Sequence, residues 1–430
     1  MFFAKDIETA EREVLTALQV EKLRGLLDAI HGRNGFYTNK LNAAGVRPGD
    51  VRGLDDLHRI PFTFKDELVR DQAENPEFGS NLTFPEADYI RVHQTSGTTG
   101  RALRWLDTAE SWEWWGTCWG FVFAGAGLTA CDRVFVAFSF APFIGFWAAV
   151  EGVRRIGAML IPGGGLSTRQ RVEAILESRA TAVVCTPTYA LRLSEEAREM
   201  GVDLARSPVR VTLHAGEPGA NIPSTKQRIE RAWGARCIDH AGATEVGAFG
   251  FEGVDRPGGM FFNESEFICE VLDPDGDRPA GPDEEGELVI TNLGRTGMPV
   301  IRYRTRDLVK ISSEPDPEGR TFLWADGGII GRADDMFIVR GVNVYPSAIE
   351  NIVRGFEEVS EFRIEVETVR EMAELKLCVE CGAGVSADAV LDRLSGEIQS
   401  RLGVRALITP AEPGSLPRFE LKARRVRKNR

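Results

Sequence analysis

Apolar residues recur at helical spacing between Glu8 and about Asn42, at Val14, Leu15, Leu18, Leu23, Leu26, Leu27 and Ile30, with a break near His31 and Gly32. This predicts a helical entry region. IPFTFKDEL follows as a turn and helix start, with Thr63 a candidate N-cap ahead of Asp66 and Glu67. Asp107 is placed to cap a helix whose Trp112, Trp115 and Trp119 form one stripe, a spacing that suits core or subunit packing. Strand-like DRVFVAF, TAVVCT and VRVTLHAG then alternate with helical runs near Thr168–Arg179, ALRLSEEAREM and Ser224–Trp233. Such alternation implies crossover connections and a largely parallel sheet, whose ligands lie beyond the strand C-termini. From about Asp255 the pattern shortens to strands between turns (FICEVLDPDG, GELVITNLG, DLVKISS), which predicts a small β-rich subdomain. GRADDMFIVRGVNVYP reads as a hinge-like segment. Beyond it, strands near Phe362–Val366 and Leu375–Val379 and a helix near Ala387–Arg401 predict an α+β unit, and the terminal ARRVRKNR reads as a solvated basic tail. The expected fold is α/β: a large N-terminal domain (1–331) with mostly parallel sheets and a small β-rich subdomain, plus a small mobile α+β C-terminal domain (332–430).

Composition narrows the partners. A chain of 430 residues with 43% apolar and 27% charged residues can bury more than one core. Its net charge of −12 argues against a general nucleic-acid or anionic-membrane binder. The start, MFFAKDIETAEREVL, turns acidic at once and no apolar run reaches the roughly 18 residues a bilayer span needs. A cytoplasmic protein is expected. Among the seven cysteines, Cys378 and Cys381 stand close, but the alternation of Leu375, Leu377 and Val379 marks a strand that turns them to opposite faces. Structural thiols are the expectation, not a metal or redox site. His31 and His58 stand alone and read as surface or core filler.

The candidate chemistry begins at Thr95-Ser96-Gly97-Thr98-Thr99-Gly100-Arg101, which follows the apolar alternation of Tyr89, Ile90 and Val92. A loop of this type can converge backbone N–H groups and hydroxyls on phosphate oxygens. It is not a Walker loop, because the GK[ST] ending is absent. Taken alone, the run is equally a solvated turn.

Further stretches decide between these readings: HAGEP (214–218), DHAGATEVG (239–247), YRTRD (303–307), GRADDMFIVRGVNVYPSAIE (331–350) and PRFELKARRV (417–426). In this order and spacing the chain resembles the adenylate-forming acyl- and aryl-CoA ligases, and within them the branch of phenylacetate-CoA ligases and their aryl-CoA ligase relatives. The resemblance covers nearly the whole chain. It implies ATP, Mg²⁺ and coenzyme A as cofactors and co-substrates, and a reaction that brings an anionic acid to a more anionic triphosphate, so the site must neutralise charge and align an in-line attack. By the same resemblance, Ser96, Thr98, Thr99 and Arg101, with Gly97 and Gly100 for close approach, would hold the β- and γ-phosphates. Thr244 would contact the α-phosphate and Glu245 would hold Mg²⁺. Asp307 resembles the ribose acceptor; Gly216, Glu217 and Pro218 resemble the turn beside adenine, and Asp239 and Gly242 join the nucleotide set. Lys422 would place its ammonium between carboxylate and α-phosphate. Asp334 matches the hinge, about which Arg340, Gly341 and Asn343 would swing in to line the thiol's approach.

Three positions depart from the family pattern: Ala241 where an aromatic residue is usual, Leu421 where glycine precedes the lysine, and Arg101 for the loop lysine. No Cys/His cluster follows the GATE run, so no zinc is expected. Phe140, Ala141, Pro142 and Phe143 align with the acyl-pocket stretch, which with Ala241 suits a small aromatic carboxylic acid. His214 could read an ortho hydroxyl or amine, or be a satisfied structural histidine. The leading expectation is aryl-CoA formation through an acyl-adenylate. Transfer to a carrier-protein phosphopantetheine, a non-catalytic nucleotide-binding role and a homodimer all stay open.

Overall fold

The structure, a computed structural model, describes all residues except 96–101, 139–141, 340–341, 370–371, 383–384, 420–424 and 430. Four helices open the chain: α1 (Lys5–Glu8), α2 (Arg12–Ile30), α3 (Gly35–Ala43) and α4 (Lys65–Glu74). α2 buries Leu15, Leu23, Leu26, Leu27 and Ile30 along one face, as its spacing predicts. Most of these join Tyr37, Leu41 and Ile301 in a satellite core. Thr63 does not cap α4. The cap position falls on Phe64, whose N–H donates to Glu67 at 2.8 Å, while the buried Thr63 hydroxyl donates to the Ile301 carbonyl at 2.7 Å.

Next comes an antiparallel hairpin, β1 (Tyr89–Gln94) and β2 (Arg104–Thr108), followed by α5 (Ala109–Gly125). Asp107 is not the α5 cap. Thr108 is, accepting from Ser111 N at 3.2 Å, because Asp107 is committed to a buried arginine described below. The tryptophan stripe of α5 is core: Trp112, Trp115 and Trp119 are all at most 5% exposed.

The alternating section comprises β3 (Arg133–Val136), α6 (Ile144–Ile156), β4 (Met159–Pro162), α7 (Thr168–Glu177), β5 (Ala182–Cys185), α8 (Pro187–Glu199), β6 (Val211–His214), α9 (Pro223–Trp233) and β7 (Arg236–Ala243). These five strands run parallel in the order β7-β6-β5-β3-β4. Val134, Val136, Val184 and Leu213 face α5 and α6, whereas Phe135, Val183, Cys185 and Cys237 face α7, α8 and α9. Each strand is covered on both sides, which is why it reads as a nearly continuous apolar run.

β8 (Gly247–Gly253) and β9 (Arg256–Phe262) add to this sheet antiparallel, and β13 (Trp324–Asp326) closes its edge to make eight strands. The β-rich subdomain is therefore smaller than expected. It is a four-stranded sheet of β10 (Phe267–Leu272), β11 (Glu285–Asn292), β12 (Tyr303–Lys310) and β14 (Gly331–Arg332).

The C-terminal α+β part has its own core, built from the hairpin β15 (Phe337–Val339) and β16 (Val342–Val344), α10 (Pro346–Arg354), β17 (Val359–Val369), β18 (Met372–Cys381), α11 (Ala387–Leu402), β19 (Ala406–Ala411) and β20 (Val426–Asn429). The basic terminus is not a solvated tail. β20 pairs parallel with β17 at the sheet edge, and Arg425 is buried. All seven cysteines are free thiols. No helix among the described residues is long and apolar enough to cross a membrane.

Candidate active site

Ser96, Gly97, Thr98, Thr99, Gly100 and Arg101 lie outside the described residues, but the neck of their loop is described. Thr95 N donates to the Leu103 carbonyl at 2.9 Å, and Leu103 N donates to Thr95 Oγ1 at 3.0 Å. Gln94 N reaches the Pro142 carbonyl at 2.9 Å. The base of the loop is thus pinned both to itself and to the segment leading into α6, which carries Pro142 and the half-buried Phe143. Phe140 and Ala141 are outside the described residues.

Thr244 and Glu245 occupy the turn between β7 and β8. Arg295, fully buried, braces it: Nε and Nη2 bind both oxygens of Asp107 at 2.8 and 2.7 Å, and Nη1 donates to the Thr244 carbonyl at 2.5 Å. Trp105 and Trp115 cover the guanidinium at 5.5 and 5.3 Å from their ring centres. Burial raises the Asp107 carboxyl and lowers Arg295, each opposed by the other's charge. The pair ties β2, and so the loop neck, to the Thr244 turn. Glu245 is buried; its Oε1 accepts from Tyr303 Oη at 3.0 Å. No cluster of three metal-type side chains exists among the described residues. A magnesium ion here would therefore take Glu245 plus phosphate and water oxygens, which is how this hard cation commonly binds. The residues fit that role.

The HAGEP turn leaves β6 with Gly216 at φ +94°, a conformation glycine adopts without strain. Glu217 Oε1 accepts from Thr188 N at 2.9 Å, at the start of α8. Pro218 follows, and Asn221 Nδ2 donates to the Ile329 carbonyl at 2.6 Å, which draws this turn to the segment before β14. Asp239 is buried beside Gly328 on the same face of the sheet as Ala241 and Met260. Its carboxyl is pushed up to about 7 by burial and then by Glu252. Asp307 accepts from Arg332 Nη1 at 2.9 Å, and the same guanidinium binds both oxygens of Asp334 at 3.0 and 3.2 Å. Ribose acceptor and hinge candidates are thus joined by one arginine.

His214 turns to the α8 and α9 face, where Nδ1 bonds the Cys185 carbonyl at 3.1 Å and Nε2 has no partner among the described residues. That is the face opposite α5 and α6, where Pro142 and Phe143 lead in. Gly242 is exposed and a Cβ there would come 3.3 Å from His240 Nε2. Asn343 lies exposed on the β15–β16 hairpin, opposite Ile338. Arg340, Gly341 and Lys422 are outside the described residues. The structure accordingly links the loop neck to Thr244 and Glu245 through Asp107 and Arg295, and it links the turn of Gly216, Glu217 and Pro218, Asp239, Asp307 and Asp334 to the segment between Gly328 and Arg332. Sequence reasoning missed Asp107, Arg295 and Arg332, which act by supporting other residues. Only their charge marked them, and a lone arginine in NLGRTG or GRADD carries no spacing signal.

A family model, AMP-binding enzyme C-terminal domain, matches residues 341–430. The phenylacetate-coenzyme A ligase of Escherichia coli (strain K12) is 33% identical over 430 residues, covering 98% of this chain and 96% of that protein. A crystal structure of 2-hydroxyisobutyryl-CoA ligase in the postadenylation state with 2-HIB-AMP overlays with a TM-score of 0.94 at 30% identity, covering 100% of this chain and 92% of that one. The same ligase with 2-HIB-AMP and CoA in the thioesterification state gives 0.75 at 31% identity, covering 99% and 92%.

Proposed function

The chain belongs to the adenylate-forming CoA ligases, and from that premise we propose that it joins an aromatic carboxylic acid to coenzyme A by way of an acyl-adenylate. In the first half-reaction a carboxylate oxygen attacks the α-phosphorus of ATP, the new P–O bond forms and pyrophosphate leaves. In the second, the thiol sulfur of coenzyme A attacks the acyl carbon, loses its proton and displaces AMP. The observation that carries the reading is the Arg295 brace, which holds the Thr244–Glu245 turn against the neck of the glycine- and threonine-rich loop.

Within this reading Thr244 contacts the α-phosphate, and Glu245, oriented by Tyr303, holds the Mg²⁺ whose charge offsets that of the phosphates. Ser96, Thr98, Thr99 and Arg101 hold the β- and γ-phosphates. Gly216, Glu217 and Pro218 border adenine, and Asp307 takes the ribose once Arg332 yields. Lys422 stabilises the charge developing at the α-phosphate. Residues 332–430 act as the moving part, with Asp334 as hinge and Arg340, Gly341 and Asn343 reaching the thiol.

Similarity to phenylacetate-coenzyme A ligases supports the aromatic acid. A small 2-hydroxy acid is the second reading, supported by the overlay on 2-hydroxyisobutyryl-CoA ligase. The test is acid-dependent pyrophosphate release, then thioester formation with coenzyme A, across phenylacetate, benzoate and 2-hydroxyisobutyrate. Turnover of an aryl acid is the expected result. Turnover of 2-hydroxyisobutyrate alone would replace the aromatic reading, and no release with any acid would remove both.

A further inference from the structure

Two histidines rest on the tryptophans of α5. His93 stacks on Trp112 with ring centres 5.3 Å apart, and His240 tilts against Trp119 at 4.5 Å. His240 has a defined tautomer. Its Nδ1 lies 2.6 Å from the Gly250 carbonyl, an oxygen that can only accept, so Nδ1 carries the hydrogen. Burial pushes the imidazole down to about 4, which keeps it neutral near pH 7. Nε2 is then a lone-pair acceptor, and no described residue donates to it. The residue is only 5% exposed, and Nε2 belongs to the part that keeps access to solvent, so a bound molecule can reach it.

The place of that lone pair is specific. Strand alternation along β7 puts His240 on the α5 face and Asp239, with the turn at Gly216, toward the other. α6, entered through Pro142 and Phe143, packs on α5, and Gly152 of α6 sits against Trp119. Nε2 points along the strand toward Gly242, two residues before Thr244. It therefore faces the acid's side of the reacting centre and not the nucleotide's.

We infer that His240 is a specificity residue of the acid site, its Nε2 accepting a hydrogen bond from a hydroxyl or amine carried near the carboxylate of the acid. The inference rests on the ligase reading above and narrows its substrate to acids with such a donor. A matched acid lacking the donor would cover Nε2 and take it from water without a partner, the situation in which discrimination is large.

The test uses the full-length protein and acid-dependent pyrophosphate release on matched pairs: salicylate with benzoate, 2-hydroxyphenylacetate with phenylacetate, and 2-hydroxyisobutyrate with isobutyrate. In at least one pair the hydroxylated acid should have the higher kcat/KM, by about tenfold or more. His240→Leu should lose more on that acid than on its partner and so collapse the ratio. His240→Gln, which keeps an acceptor, should recover part of it, and it serves as the readout if His240→Leu does not fold. Equal losses on both members, or no preference in any pair by the wild-type protein, would overturn the role of His240 while leaving the ligase reading intact. No release with any acid would overturn the ligase reading and this inference with it.

Discussion

Glu245 combines burial with a single described side-chain donor, Tyr303. Glu245→Gln keeps an acceptor for that hydroxyl but removes the charge a divalent cation needs. Pyrophosphate release should fall by about 10²-fold, the scale of losing one electrostatic stabiliser, and its magnesium dependence should weaken. A magnesium titration of both proteins checks this, and superimposable curves would remove Glu245 from the metal role. Asp239 offers a prediction about pH. Burial and Glu252 hold its native carboxyl up to about 7, whereas an unfolded aspartate titrates near 3.9. Between those values the native state holds a proton that the unfolded chain has released, so this residue's contribution to stability falls as pH rises through the window, by at most about 1.4 kcal/mol per pH unit. Asp239→Asn should flatten that slope and be the more stable protein at pH 8. Urea unfolding of both at pH 6 and pH 8, without ligands, measures it.

At the scale of elements, two helix starts were misread for one reason. Thr63 and Asp107 are good caps by residue type, but each is taken by a distant partner, Ile301 and Arg295, that local sequence does not reveal. Thr108 and the Glu67 side chain do the capping instead. The turn from β7 into β8 is equally demanding. Gly247 has φ +133°, and a Cβ there would lie 2.6 Å from Trp114 and 2.7 Å from Phe267. Gly247→Ala should destabilise the fold by about 2–4 kcal/mol through overpacking and backbone strain. Because the position lies two residues past Glu245, adenylation should drop with it. Chemical denaturation tests the first part, and an unchanged midpoint would show that the turn relaxes.

Across the whole molecule, the C-terminal part is docked on α8 and α9 by polar contacts. Arg425, paired with Glu361 at 2.7 and 3.1 Å, reaches Thr188 Oγ1 at 3.3 Å; Arg228 donates to the Val359 carbonyl at 3.1 Å, and Ser224 N to Asn351 at 3.3 Å. The fuller overlay on the postadenylation form, 0.94 against 0.75, fits an arrangement held by these contacts. If residues 332–430 alternate between two poses, Thr188→Val should weaken this pose, slowing pyrophosphate release more than thioester formation from synthetic acyl-AMP. Lys422→Ala should cut pyrophosphate release by on the order of 10² or more and spare the second step. Measuring the half-reactions separately decides the matter, and an equal fall in both for each variant would count against alternation.

Sequence by itself determined the helical entry, the alternating strands and helices, the C-terminal α+β pattern and the family, because period and ordered motifs are local signals that burial on one or both faces writes directly into the chain. Tertiary structure alone decided what those signals cannot carry. β9 and β13, both past Asp255, join the main sheet instead of the β-rich subdomain, since pairing partners are chosen across long separations. The terminal run VRKN is an edge strand because β17 offers it a ladder, and Glu361 gives the preceding Arg425 a buried partner. Which face of the sheet each histidine takes also depends on the strand. His214 and His240 are each one buried histidine near a strand end, and the pleat of the assembled sheet turns the first toward α8 and α9 and the second toward α5.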